Sequence, residues 1–156
     1  MNLLSRNLFL AGNEISRDIL LKYIEKLQTF QPKLLYGYSS SLYEMAKIID
    51  EEDYNLNIGC IVSSGETLYP ERQKRIQDAF NCDVYNEYGG EATGGTLTDC
   101  PYHQGLHVPI ENCYLEVLDD NGEHVSDGEW GNLVSTDLNN YAHPFIRYCM
   151  EDKAKY

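Results

Sequence analysis

The sequence predicts an α/β fold: a parallel-strand α/β layer in the N-terminal half, followed by an antiparallel β subdomain. Three observations carry this. Helical and strand-like patterns alternate up to about residue 97, the signature of parallel strands with helical crossovers. Beyond residue 98 short β-branched and aromatic runs follow one another with no helical period between them. Asp120-Asn121-Gly122 then supplies a hairpin turn, because Asn-Gly accepts the positive φ of a type I′ turn. The predicted domains are therefore 1–97, an α/β subdomain, and 98–156, an antiparallel β subdomain.

The elements follow in order. Ile15, Ile19, Leu20, Tyr23, Ile24 and Leu27 recur at helical spacing behind Asn13, a capping residue type, predicting a helix over 14–28 that ends before Pro32. Tyr36-Gly37-Tyr38 reads as a break. Ser41 and Glu44 form an S-x-x-E capping box ahead of Leu42, Met45, Ala46, Ile48 and Ile49, predicting a second helix. Ile58 to Val62 reads as a buried strand running into Ser63-Ser64-Gly65. Pro70 suits the first turn of a third helix with Ile76, Ala79 and Phe80 inward. Asp83 to Asn86 is a second strand, closed by Tyr88-Gly89-Gly90. Leu106–Pro109, Cys113–Leu118, Leu133–Thr136 and Pro144–Tyr148 are the strands of the second half.

Composition narrows the function classes. Twelve Lys+Arg against 25 Asp+Glu give 156 residues a net charge of −13. That balance argues against nonspecific nucleic-acid binding, which needs cations to displace phosphate counterions. It leaves nucleotides open, since backbone N–H groups and a metal can hold them. No run of ~18 apolar residues suits a membrane span, and Met1 to Arg6 lack a basic-then-apolar leader pattern. Five cysteines, at 60, 82, 100, 113 and 149, read as scattered thiols rather than a disulfide framework. A cytoplasmic location is the expectation. With 42% hydrophobic residues and 13 tyrosines, the chain can bury a core.

Two predicted strands end in small-residue loops carrying an acid: Ser63-Ser64-Gly65-Glu66 and Tyr88-Gly89-Gly90-Glu91. Ligands of open α/β sheets bind outside the carboxyl ends of the strands, and glycine lets backbone approach them. The plainer alternative is that such turns are glycine-rich for backbone geometry alone.

Four motifs stand in order: Tyr36-Gly37-Tyr38-Ser39-Ser40-Ser41-Leu42, Ser63-Ser64-Gly65-Glu66-Thr67-Leu68, Tyr88-Gly89-Gly90-Glu91 and Pro144-Phe145-Ile146-Arg147-Tyr148, with Thr136-Asp137-Leu138 before the last. Together they resemble the middle of a phenylacetate–coenzyme A ligase-like protein. That branch of the adenylate-forming superfamily also contains capsule-biosynthesis adenylating proteins. The resemblance covers nearly the whole chain and implies the following roles. The backbone of Ser64, Gly65 and Glu66 lies against adenine, Tyr88 stacks on it, and Gly89 admits the acyl phosphate. Asp152, four residues after Tyr148, grips both ribose hydroxyls, and a carboxylate is an acceptor pair matched to a vicinal diol. Arg147 helps to fix that strand. The separated turns and the carboxylate are expected to converge on one nucleoside.

The sequence also departs from the family. Relatives carry Tyr-Gly-x-x-Glu, whose glutamate helps to bind magnesium; here Glu91 stands one position early and Ala92 takes the expected place. Glu151 precedes the ribose acid where many relatives have Gly or Arg. The resemblance implies a phosphate-holding loop before Tyr36 and a lysine-bearing lid after Tyr156, and neither pattern stands within these 156 residues.

Cys100, His103, His107 and Cys113 cluster within fourteen residues. Cys100 and His107 match half of a zinc set found in some relatives, while ordinary thiols and a strand histidine are the simpler reading. Cys60 and Cys82 read as packing residues, Trp130 as a packing cap, and Tyr36, Tyr38 and Tyr43 as core or subunit contacts, the lining of an aryl or acyl pocket being the alternative.

The functional expectation is a fragment of an AMP-forming carboxylic acid ligase. It carries the adenosine-binding part and is expected to be inactive alone, with no catalytic residue of its own. ATP/AMP, Mg²⁺ and Zn²⁺ are the implied cofactors. A carboxylic acid and coenzyme A are the implied partners of the intact enzyme. The alternative is a non-catalytic remnant that self-associates as a homodimer with weak or no nucleotide binding.

Overall fold

In the computed structural model the described residues are 7–12, 15–90 and 93–156. The chain divides into two compact units, residues 1–86 and 87–156.

The first unit contains α1 (Arg17–Phe30), β1 (Leu34–Gly37), α2 (Ser39–Glu51), β2 (Cys60–Ser63), α3 (Pro70–Phe80) and the start of β3 (Asp83–Gly89). The strands β1, β2 and β3 pair in parallel, Leu34 with Cys60 and Cys60 with Asp83. Parallel neighbours need a crossover, and α2 and α3 supply the two. Each helix turns an apolar stripe to one core: Leu20, Ile24 and Leu27 from α1, Leu42, Met45, Ala46 and Ile49 from α2, Ile76 and Phe80 from α3. These close over Ile61 and Val84 of the sheet, both fully buried.

Helix α1 starts at Arg17 behind Ser16, three residues later than the sequence predicts; Asn13, the predicted cap, lies outside the described residues. Gln31 ends the helix in the left-handed region, its N–H donating to the Leu27 carbonyl at 2.8 Å. Helix α2 starts at Ser39, so Ser41 is not its cap. The Ser41 hydroxyl donates to the Gly12 carbonyl at 2.7 Å, and Glu44 pairs with Lys47. The supposed break at Tyr36-Gly37 is strand β1. Pro70 does open α3.

The second unit contains the end of β3, β4 (Thr96–Thr98), β5 (Cys113–Leu118), β6 (Gly131–Asp137) and β7 (Tyr148–Ala154). Strands β3 and β4 pair antiparallel through Glu87–Gly89 and Thr96–Thr98. Strands β5, β6 and β7 form a separate antiparallel sheet in that order. Its buried residues include Cys113, Val117, Leu118, Leu133 and Val134. Four expectations change here. Leu106–Pro109 is no strand, only a bridge from His107 to Thr98. The last strand begins at Tyr148, where residues 144–148 were expected to form it. Strand β4 was not foreseen. The turn at 119–122 is a hairpin, but Asn121 is not in the positive-φ region; Gly122 takes φ +84° and its N–H donates to the Asp119 carbonyl.

Among the described residues no helix is long and apolar enough to cross a membrane. All five cysteines are free thiols. Cys60 and Cys82 are half-buried, Cys82 packing against the core as expected, and Trp130 is exposed beneath Lys155 rather than a packing cap.

Ile61, fully buried on the middle strand of the parallel sheet, sets the fold's test. Ile61→Ala should lower unfolding free energy by about 2–5 kcal/mol, read from the urea midpoint at unchanged slope.

Candidate functional site

The second unit joins two of the sequence-flagged residues. The Tyr88 phenol donates a hydrogen bond to Asp152 Oδ2 at 2.6 Å. Tyr88 sits near the end of β3, and Asp152 lies on β7.

A local irregularity aims Asp152. Strand β6 pairs Val134 with Cys149 and Asn132 with Lys153. Only Leu133 lies between the partners on β6, against Met150, Glu151 and Asp152 on β7. The surplus forms a bulge, which re-aims side chains and breaks the ladder locally. Glu151 takes φ +60° within it. That conformation suits glycine better than a residue with a Cβ.

Burial, then the hydrogen bond to Asp152 and its negative charge, pushes the Tyr88 phenol well above its ordinary titration range. The neutral phenol is therefore the donor. A carboxylate has about four acceptor positions, so one phenol leaves Asp152 able to accept from two neighbouring hydroxyls.

The loop beside Tyr88 is held from inside. Thr93 is fully buried. Its Oγ1 accepts from the Gly90 N–H at 3.0 Å and lies 2.5 Å from the Gly95 carbonyl, while its own carbonyl accepts from Ser135 Oγ at 2.9 Å. A Cβ on Gly89 would stand 2.9 Å from the Gly95 carbonyl, so Gly89 has a packing reason to be glycine.

In the first unit, Ser64, Gly65 and Glu66 form their own arrangement. The Ser64 N–H donates to the Gly37 carbonyl at 3.1 Å. Gly65 takes φ +76°, and a Cβ there would lie 2.8 Å from the Tyr38 ring. The Glu66 carboxylate accepts from Ser40 N–H at 2.7 Å and Ser40 Oγ at 2.9 Å. It thus caps α2 from a distant loop, placing an anion at the positive end of the helix. The sequence expectation for Ser64 to Glu66 concerns their backbone; the Glu66 carboxylate itself is engaged with α2. The hydroxyls of Ser39 and Ser63 are buried without a hydrogen-bond partner. Tyr36 and Tyr38 are exposed rather than core. A groove of about 590 Å³ lined by Phe9, Leu27, Phe30, Leu34 and Tyr36 also lies in this unit; none of the residues expected to bind nucleotide or metal lines it.

The metal expectations fare differently. Glu91, the candidate magnesium ligand, lies outside the described residues. Among the described residues no three His, Cys, Asp or Glu side chains are grouped to hold a metal. Of the neighbours that might complete a zinc set, His103 Nδ1 faces Asp99 Oδ2 at 2.6 Å. The Cys113 thiol is raised by burial and points to the Pro109 carbonyl. Among the described residues Cys100 and His107 are not joined by a third ligand.

Sequence reading missed Glu116, a nearly buried carboxylate on β5 held by Arg147. The signal was there: an acid inside the apolar run Leu115–Leu118 must bury its charge or break the strand.

Comparison with known proteins gives this geometry its context. The chain is 30% identical over 150 residues to protein CapK of Staphylococcus aureus, across 95% of this chain and 32% of that protein. It is 27% identical over 140 residues to a phenylacetate-coenzyme A ligase of Pseudomonas putida, across 84% of this chain and 31% of that one. A crystal structure of 2-hydroxyisobutyryl-CoA ligase, in complex with 2-HIB-AMP and CoA, superimposes with a TM-score of 0.80 at 22% identity, over 94% of this chain and 32% of that chain. The chain is homologous to part of an adenylate-forming superfamily enzyme. A benzoate CoA ligase from Burkholderia xenovorans LB400 shares the fold at a TM-score of 0.63 and 22% identity, over 79% of this chain and 28% of that one. No family model matches. The chain spans about a third of the length of the curated relatives it matches. The parallel layer followed by an antiparallel sheet is the adenylate-forming fold, as the sequence predicts.

The Tyr88–Asp152 bond sets a pH test. A phenol raised in the folded state holds its proton after the unfolded chain has lost it, so stability is full below about pH 10 and falls as pH rises above it. Asp152→Asn removes the carboxylate's charge but leaves burial. Tyr88, followed by ¹³C-tyrosine NMR and assigned by its loss in Tyr88→Phe, should titrate lower in Asp152→Asn than in the wild type, yet still above an exposed tyrosine.

Proposed function

We propose that the chain is part of a cytoplasmic, AMP-forming carboxylic acid–coenzyme A ligase of the phenylacetate-CoA ligase-like branch, and that its second unit holds the nucleoside. The 2.6 Å bond between Tyr88 and Asp152 carries the reading. It puts an aromatic face beside a carboxylate with acceptor capacity to spare, the pair a purine riboside needs. Structural neighbours solved in complex with 2-HIB-AMP and anthranoyl-AMP support AMP as the nucleotide.

In the proposed reaction a substrate carboxylate attacks the α-phosphate of ATP, an acyl-adenylate forms and pyrophosphate leaves. Coenzyme A then takes the acyl group. The chain's own residues bind and orient. The Tyr88 ring stacks on the base, and Asp152 accepts from the ribose hydroxyls. Gly89 keeps the backbone bare where the phosphate would approach. Ser64, Gly65 and Glu66 keep the adenine-side backbone role that the family resemblance implies, and the Glu66 carboxylate anchors their loop. Magnesium would neutralise the phosphates when bound; Glu91 is the residue proposed for it. The self-associating, non-catalytic alternative has less behind it, because similarity to ligases extends over most of the chain.

Titration calorimetry with AMP tests this. The wild-type chain should give saturable heat near one site per chain, and Asp152→Ala should weaken binding by at least about tenfold, the loss of roughly 1.4 kcal/mol. Absence of saturable heat in the wild type, or equal affinity in Asp152→Ala, would overturn the proposal.

A further inference from the structure

Glu116 has no role in the site as described so far, yet it is among the most deeply placed charges of the second unit, with 6% of its surface exposed. A buried carboxylate survives only if paired. Arg147 pairs with it through two donors, Nε to Oε2 at 3.1 Å and Nη2 to Oε1 at 3.3 Å. His124 Nε2 lies 3.6 Å from Oε1 on the other side.

Arg147 is bound twice. Its side chain reaches β5 through Glu116, and its backbone N–H donates to Thr136 Oγ1 of β6 at 3.0 Å. It adopts φ +48° while doing so, a conformation costly for a side chain with a Cβ, so the surrounding contacts must hold it. The next residue is Tyr148, the first of β7, paired with Ser135. Arg147 therefore stands where β7 acquires its register. A strand slipped by one residue turns every side chain to the opposite face. The bulge that aims Asp152 begins right after the Cys149 pairing with Val134.

We propose that Glu116 is a positioning residue for Asp152, acting through Arg147. The buried carboxylate draws the guanidinium across β6, and Arg147 sets the register of β7. The bulge then delivers Asp152 to the Tyr88 phenol. The inference rests on the reading of Asp152 as the nucleoside-binding acid for its functional meaning, but its geometric half stands apart from any nucleotide.

The experiment uses two readouts on the full chain. The first is the nuclear Overhauser contact between the Tyr88 ring and the Asp152 β protons without ligand. The second is AMP affinity by calorimetry. Glu116→Gln removes the charge and leaves Arg147, 58% exposed at its side chain, free to turn to water, so no buried cation is orphaned. The expected result is loss of the Tyr88–Asp152 contact while the β5–β6 contact between Tyr114 and Thr136 persists, with AMP binding weakened roughly tenfold. An unchanged Tyr88–Asp152 contact in the folded variant would overturn the inference. Should Glu116→Gln also lose the Tyr114–Thr136 contact, the double variant Glu116→Leu/Arg147→Met takes its place under the same criteria. It leaves no unpaired charge, and apolar replacement of a buried ion pair is often neutral in stability. A wild-type chain that binds no AMP would sink the ligase reading, while the contact measurement would still decide the role of Glu116.

Discussion

A hydrogen bond across sixty-four residues, from the Tyr88 phenol to Asp152, is the constraint on which the candidate site depends. The phenol is partly buried and needs an acceptor; the carboxylate is on an exposed strand and needs a reason to turn inward. Neither residue reaches the other by regular structure alone. Strand β3 must run past its parallel partners to Tyr88, and β7 must carry surplus residues opposite Leu133 to turn Asp152. Glu151 absorbs that irregularity at φ +60°. The site thus stores local backbone strain where its carboxylate is aimed, a pattern recurrent at functional positions.

Three acids illustrate how position decides the work of a carboxylate. Glu66 is spent on the N-terminus of α2, where unpaired N–H groups and the helix dipole welcome an anion. Glu116 is buried and answered by Arg147. Asp152 accepts only the one phenol and keeps the most acceptor capacity of the three. That is why the proposed ligand is assigned to it.

Much of the fold was legible because periodicity reports burial directly. The apolar stripes of α1, α2 and α3, Pro70 at the start of α3, and the strands at Cys113 and Leu133 all read from side-chain spacing. The misses have physical causes. Strand β1 hid behind Gly37, a residue that reads as a break although the parallel pairing tolerates it. The cap of α2 comes from Glu66, twenty-six positions from Ser40, and no local pattern can announce it. Asn121 looked like a positive-φ residue, but the turn places that demand on Gly122 alone. The segment 144–147 read as strand because it is apolar, whereas Arg147 must leave the extended region to reach Glu116. Of the site, Tyr88 and Asp152 were legible through the family resemblance. The bulge that unites them was not, since register belongs to two strands at once. Cys100 and His107 find no third ligand grouped with them among the described residues, and His103 faces Asp99.

The most direct measurement is a crystal structure of the chain grown with AMP. The account expects the ribose hydroxyls on the Asp152 carboxylate, the adenine against the Tyr88 ring, and Glu151 still in the left-handed region. A nucleotide bound away from both residues, or Asp152 turned to the opposite face of β7 from Tyr88, would contradict it.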